Sequence, residues 1–170
     1  AFNDEIFTKE KGLGPIFVAT SCGSCHAGDG KGTPFTTLTR FGQVDATGNK
    51  FLHFGGPQIQ HRAIPGYTGE VIPAGATSAK FTPPANTGLG YLESIPDAEL
   101  LRMTDPDDLN KDGISGEINW IQVPAYLTIP DDAISRDGKY IGRYRKKAAA
   151  FTLLHQTVNA YNQDMGITST

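Results

Sequence analysis

Apolar residues recur at helical spacing in one sustained stretch of the chain. Phe151, Leu154, Val158 and Tyr161 mark one face there, and Gly166 stands just past the end. A shorter helix is predicted from Ile95-Pro96, with Pro96 at its first position and Asp97 and Glu99 in its first turn. Leu100, Leu101 and Met103 continue it until Asp105-Pro106 stops it. Residues 3–10 read as a short amphipathic helix with Phe2 and Ile6/Phe7 on one side, ended by Gly12 and Gly14-Pro15, and the apolar run Ile16 to Thr20 follows. Glu117 to Val123 alternates, which predicts a strand with Ile118, Trp120 and Val123 packed. Between 27 and 92 no period holds. Gly-Asp-Gly, Gly-Gly-Pro, Ile-Pro-Gly and Pro-Pro clusters make this region turn-rich, suited to wrapping a cofactor or carrying a small hairpin. No internal repeat or low-complexity tract interrupts the chain.

A length of 170 residues fits one domain spanning 1–170. Only 38% of the residues are apolar, against 20 Gly and 11 Pro, so a bulky apolar cofactor would help such a loop-rich chain to fold. The net charge is −3. The basic cluster Arg143, Arg145, Lys146 and Lys147 is too short for a nucleic-acid surface and reads as a solvated helix start. No apolar run reaches the ~18 residues of a membrane span. The chain starts at a small residue, Ala1, as a processed exported protein or one trimmed at its start would. A periplasmic or otherwise exported location is expected.

The two cysteines, Cys22 and Cys25, stand in Cys22-Gly-Ser-Cys25-His26, which excludes a disulfide framework. Two thiols on one turn can both add to the vinyl groups of one haem, and the histidine that follows is carried under the iron as its proximal ligand. A thioredoxin-like redox pair would need a βαβ context, which the surroundings lack. A zinc site would need a second ligand pair, and His53, His61 and His155 fit no zinc spacing. One covalent haem c is therefore the expected cofactor. Further along, Asp108, Asn110 and Asp112 before Gly113 match the first half of a calcium loop. Position twelve is Asn119 rather than an acid, so an Asx-rich turn whose carboxylates cap their own backbone is the favoured alternative.

Several stretches, in order, resemble the di-haem oxidoreductase family, relatives of the bacterial di-haem cytochrome c peroxidases. They are residues 12–26 around the haem motif, Asp29-Gly-Lys-Gly32, Pro57-Gln-Ile-Gln60, Arg62-Ala-Ile-Pro-Gly66 and Thr87 to Pro96. Asp105-Pro-Asp-Asp108, Asp112-Gly-Ile-Ser-Gly116, Gly142-Arg143 and Asp164 to Ser169 complete the set. The resemblance implies the N-terminal half of a protein whose other half carries a second haem. It also implies a distal amide and acid that assist O–O cleavage, matched here by Gln156 and Asp164 as catalytic residues. Two positions depart from the related peroxidases: Lys146 replaces a tryptophan between the haems, and the acid is Asp rather than Glu. A loop histidine that ligates or releases the iron has its nearest match in His53, with Met165 as the alternative sixth ligand.

The expected fold is mainly α, a cytochrome c-like haem domain with long irregular loops from 27 to 92 and a small β element near 117–123. The expected function is peroxidase-like redox chemistry with electron transfer through the covalent haem. A plain electron-transfer cytochrome c and a haem-based sensor are the alternatives. One haem stores too few electrons to reduce peroxide alone, so the partner is a second haem domain or a redox protein. No nucleic-acid partner and no membrane span are expected.

Overall fold

The computed structural model describes residues 5–42, 44–45, 48–54 and 57–168. In chain order these form β1 (Ile16–Phe17), α1 (Cys22–Cys25), α2 (Ala27–Gly30), β2 (Leu38–Gly42), β3 (Val44–Asp45), β4 (Gly48–Asn49), β5 (Arg62–Ala63) and β6 (Thr77–Phe81). Then come α3 (Leu89–Glu93), α4 (Asp97–Arg102), β7 (Trp120–Ile121), β8 (Ser135–Arg136), β9 (Lys139–Ile141) and α5 (Leu153–Met165). Single 3₁₀ turns occur at Lys9–Lys11 and Leu52–Phe54.

The mainly-α, cytochrome c-like expectation is wrong: the described residues are 24% helix and 18% strand, with five short helices among several small sheets. The physical reason lies in the Gly- and Pro-rich sequence. Only the stretch behind α5 sustains a 3.6-residue period, so the other helices run to between four and six residues. The irregular region folds instead by antiparallel pairing between distant segments. β2 pairs with β6 from Leu38↔Phe81 to Gly42↔Thr77, β1 with β5, and β3 with β4. The expected helix at 3–10 is reduced to the Lys9–Lys11 turn; Thr8 is extended (φ −121°) and Gly12 left-handed (φ 89°), while residues 1–4 lie outside the described residues.

The chain divides into two compact units, Ala1–Thr87 with Val158–Thr170, and Gly88–Thr157. In the first, Leu13, Phe17 and Met165 form a buried cluster bordered by Phe7, Ile64, Tyr161 and Ile167, and Phe41, Phe51 and Ile59 form a second. Two backbones cross between Gly14 and Gly166: a Cβ on Gly14 would collide with the Gly166 carbonyl, and one on Gly166 with that of Ile16. Gly14 N–H donates to Met165 O at 3.0 Å, so this close approach ties the end of α5 to the strand that leads into the cysteine pair.

In the second unit, α4 begins after Pro96 rather than at it, and the expected strand narrows to β7, joined to β9 and through it to β8. Arg136 lies over the Trp120 ring at 4.6 Å. The basic cluster is no helix start. Arg143, its side chain 12% exposed, is ion-paired with the buried Asp97 (Nη2 to Oδ1, 2.5 Å), and it also donates to the carbonyls of Ile95 (2.6 Å) and Leu92 (3.0 Å). Among the described residues no helix is long and apolar enough to cross a membrane.

Candidate functional site

The cysteine turn is built locally. Ser21 is extended and caps α1, its hydroxyl accepting the Ser24 N–H at 3.2 Å. His26 N–H donates to Cys22 O at 2.9 Å, which closes the turn and brings Cys22, Cys25 and His26 together. Both cysteines are free thiols of intermediate burial. Thr36 Oγ1 donates to Cys25 O at 2.6 Å and ties the following loop to the turn. The chain then reverses through Gly28 (φ 67°) and Asp29 (φ 57°). At Gly32 (φ 72°) a Cβ would lie 2.7 Å from Pro83 O, so only glycine lets the 83–86 segment approach this closely. Asn86 N–H donates to Gly30 O at 2.8 Å and holds that segment in place.

The segment has a direct consequence for His26. Its Nδ1 lies 3.0 Å from Pro84 O, 58 residues away in sequence. A carbonyl only accepts, so Nδ1 carries the proton and Nε2 the lone pair that coordinates a metal. Metal-bound histidines are held in this way, by an outer acceptor that sets both tautomer and ring orientation.

Asp164 closes the site from the far end of the sequence. Its carbonyl accepts from Val18 N–H (2.7 Å) and Ala19 N–H (3.1 Å), just ahead of the cysteine turn. Burial pushes both thiols above the ordinary cysteine range, and the Asp164 carboxylate adds to the rise at each. Cys22 also raises Cys25, while the Arg62 guanidinium acts the other way. The structure thus brings Cys22, Cys25, His26 and Asp164 into one neighbourhood within the first unit.

The other sequence-derived candidates have different surroundings. His53 is exposed on its 3₁₀ turn, with its ring 4.1 Å from that of Phe54. Met165 is only 4% exposed, in the cluster with Leu13 and Phe17. Gln156 belongs to the second unit, where its Oε1 is buried without a hydrogen-bond partner among the described residues. His155 is buried and accepts the Phe151 N–H on Nδ1 at 3.1 Å, a cap at the start of α5. Around Asp108, Asn110 and Asp112 the side-chain oxygens serve their own backbone: Asp108 accepts from the N–H of Asp112 and Gly113, and Asp112 from Ile114. Among the described residues no group of three or more His, Cys, Asp or Glu side chains is disposed to hold a metal ion.

Sequence reasoning missed Gln58, which is 3% exposed and donates from Nε2 to Gln163 O (3.2 Å) and to Asp164 Oδ1. The available signal was Pro57-Gln-Ile-Gln60, two amides alternating about an apolar residue.

A family model described as "Di-haem oxidoreductase, putative peroxidase" matches residues 77–170. The matched stretch includes Pro84 and Asp164 and begins after the cysteine turn. No curated protein and no solved structure matches the chain.

Proposed function

Because the chain belongs to the di-haem oxidoreductase family, we propose that its first unit holds one haem covalently, for peroxidase-like redox chemistry. Cys22 and Cys25 form the two thioethers, and His26 Nε2 is the proximal nitrogen. The observation that carries this reading is the His26 Nδ1–Pro84 carbonyl bond at 3.0 Å. A surface histidine gains nothing from a fixed tautomer, whereas an iron ligand needs one. The two free thiols on the same turn fit the same group. When bound, the haem would supply an iron that changes oxidation state and can take part in cleaving peroxide.

This chain's residues supply the rest. Asp164 carries a carboxylate close enough to the cysteine turn to act on both thiols, and its backbone is tied to Val18 and Ala19. It accepts the proton of an incoming hydroperoxide on a carboxylate oxygen and returns it to the departing oxygen, which leaves as water. Two electrons are needed for each peroxide reduced, and a second haem or a redox partner protein provides what one haem cannot. An exported location suits covalent haem attachment.

Expression with haem-attachment machinery tests the cofactor reading. Haem staining after denaturing electrophoresis is expected for the native chain, and loss of it for the Cys22→Ala, Cys25→Ala double variant. Undiminished staining of that variant would refute covalent attachment at this turn. Pro84→Ala keeps the carbonyl and serves as a control, while His26→Ala is expected to lose the axial-ligand spectrum.

A further inference from the structure

We infer that Gln58 is a positioning residue, its side-chain amide aiming the Asp164 carboxylate at the cysteine turn. The inference rests on the reading of Asp164 as the proton-handling group.

Residues 57–60 run as an added strand beside β2. Phe41 N–H donates to Pro57 O at 2.8 Å, Ile59 N–H donates to Thr39 O at 3.0 Å, and Arg40 bridges Gln58. Along a strand alternate side chains face opposite ways. Ile59, 5% exposed, enters the cluster with Phe41 and Phe51, and Gln58 and Gln60 reach the last turn of α5. Helix ends leave four carbonyls without partners, and the two amides serve that need. Gln60 Nε2 donates to Asn162 O and Gln163 O, each at 3.0 Å.

Gln60 is therefore a cap and nothing more. Gln58 differs, because its Nε2 divides its bonds between the Gln163 carbonyl and the Asp164 carboxylate. One carboxylate oxygen is thereby held from a rigid, buried platform, which fixes the direction in which the other points. Functional groups locked in this way by packed neighbours avoid the loss that a misaligned acid or base incurs.

The two glutamines make a matched comparison within one protein. The full 170-residue chain is loaded with haem, and cyanide association with the ferric protein is followed by absorbance, alongside thermal melting. Hydrogen cyanide must lose its proton on binding, and Asp164 accepts it. Gln58→Met is expected to slow association at least about tenfold, the low end of the scale of one hydrogen bond to a charged group. Asp164→Asn slows it further, and Gln58→Met adds nothing in the Asp164→Asn background. Gln60→Met lowers the melting temperature as Gln58→Met does but leaves the cyanide rate unchanged. Should Gln58→Met not accumulate, Gln58→Asn, whose amide is drawn back by one methylene, must slow cyanide in the same sense. Equal rates for the two Met variants, or an undiminished effect of Gln58→Met in the Asp164→Asn background, would overturn the inference and leave the haem reading intact. If Asp164→Asn itself leaves the rate unchanged, the role given to Asp164 fails first, and the inference with it.

Discussion

Asp97→Asn removes the charge opposite Arg143 while keeping the side chain's size. The pair is 12% and 5% exposed, so water cannot replace the lost carboxylate. Removing one partner of a buried pair costs about 3–5 kcal/mol. Arg143 keeps two carbonyl acceptors, those of Ile95 and Leu92, and the asparagine oxygen can still accept the Ile134 N–H that Asp97 holds at 2.7 Å. The loss should then fall at the lower end, about 3 kcal/mol, which for a chain of this size lowers the melting temperature by about 6–12 °C. Arg102→Ala supplies the contrast, because the Arg102–Glu99 pair is 72% and 50% exposed and is worth at most about 0.5 kcal/mol. Thermal melts by circular dichroism measure both. Joint replacement of the buried pair, Asp97→Leu with Arg143→Met, should recover much of the single-variant loss. A shift for Asp97→Asn no larger than that of Arg102→Ala would refute the reading of this pair as a desolvated, stabilising contact.

Gln156→Leu removes a buried acceptor that lacks a partner, so melting should stay level or rise; if Gln156 is also the distal amide of the family, peroxide reduction falls in the same variant. A drop in melting temperature would show that this oxygen is satisfied in solution. Burial, aided by the Arg145 guanidinium, holds His155 below the ordinary histidine range, so the unfolded chain takes the proton first as pH falls. Its contribution is complete above the unfolded value and is lost as pH drops toward the folded one, and His155→Gln should flatten that part of the stability–pH curve. Gly166→Ala places a Cβ against the Ile16 carbonyl at φ 63°, and should both destabilise the chain and slow cyanide association, as measured by melting and absorbance. Asp108→Ala and Asp112→Ala should lower melting equally with calcium and with chelator if their oxygens only cap the turn; a loss confined to calcium buffer would establish a bound cation.

Features held by nearby residues are legible in the sequence. The cysteine turn is one, because Ser21, Cys22 and His26 build it among themselves, and α5 is another, with Gly166 left-handed at its end. The mainly-α expectation fails where pairing is long-range: nothing local in Leu38–Gly42 announces Thr77–Phe81 as its partner. Arg143 misleads for the same reason. It reads as one charge in a basic run, and only the fold shows Asp97, 46 residues away, buried against it. For Gln58 and Pro84 the residue types are unremarkable, and their significance comes from an acceptor or donor more than fifty positions distant.

The crossing at Gly14 and Gly166 also gives the protein's maturation a direction. The bonds that close the cysteine turn, Ser24 N–H to Ser21 Oγ and His26 N–H to Cys22 O, lie within residues 21–26 and can form first. Pro84 is made later, and the segment that carries Asp164 later still. Until that segment docks, the N–H groups of Val18 and Ala19 lack the Asp164 carbonyl, and the thiols that the folded chain half-buries are more open. On the proposed covalent haem, attachment would precede that docking.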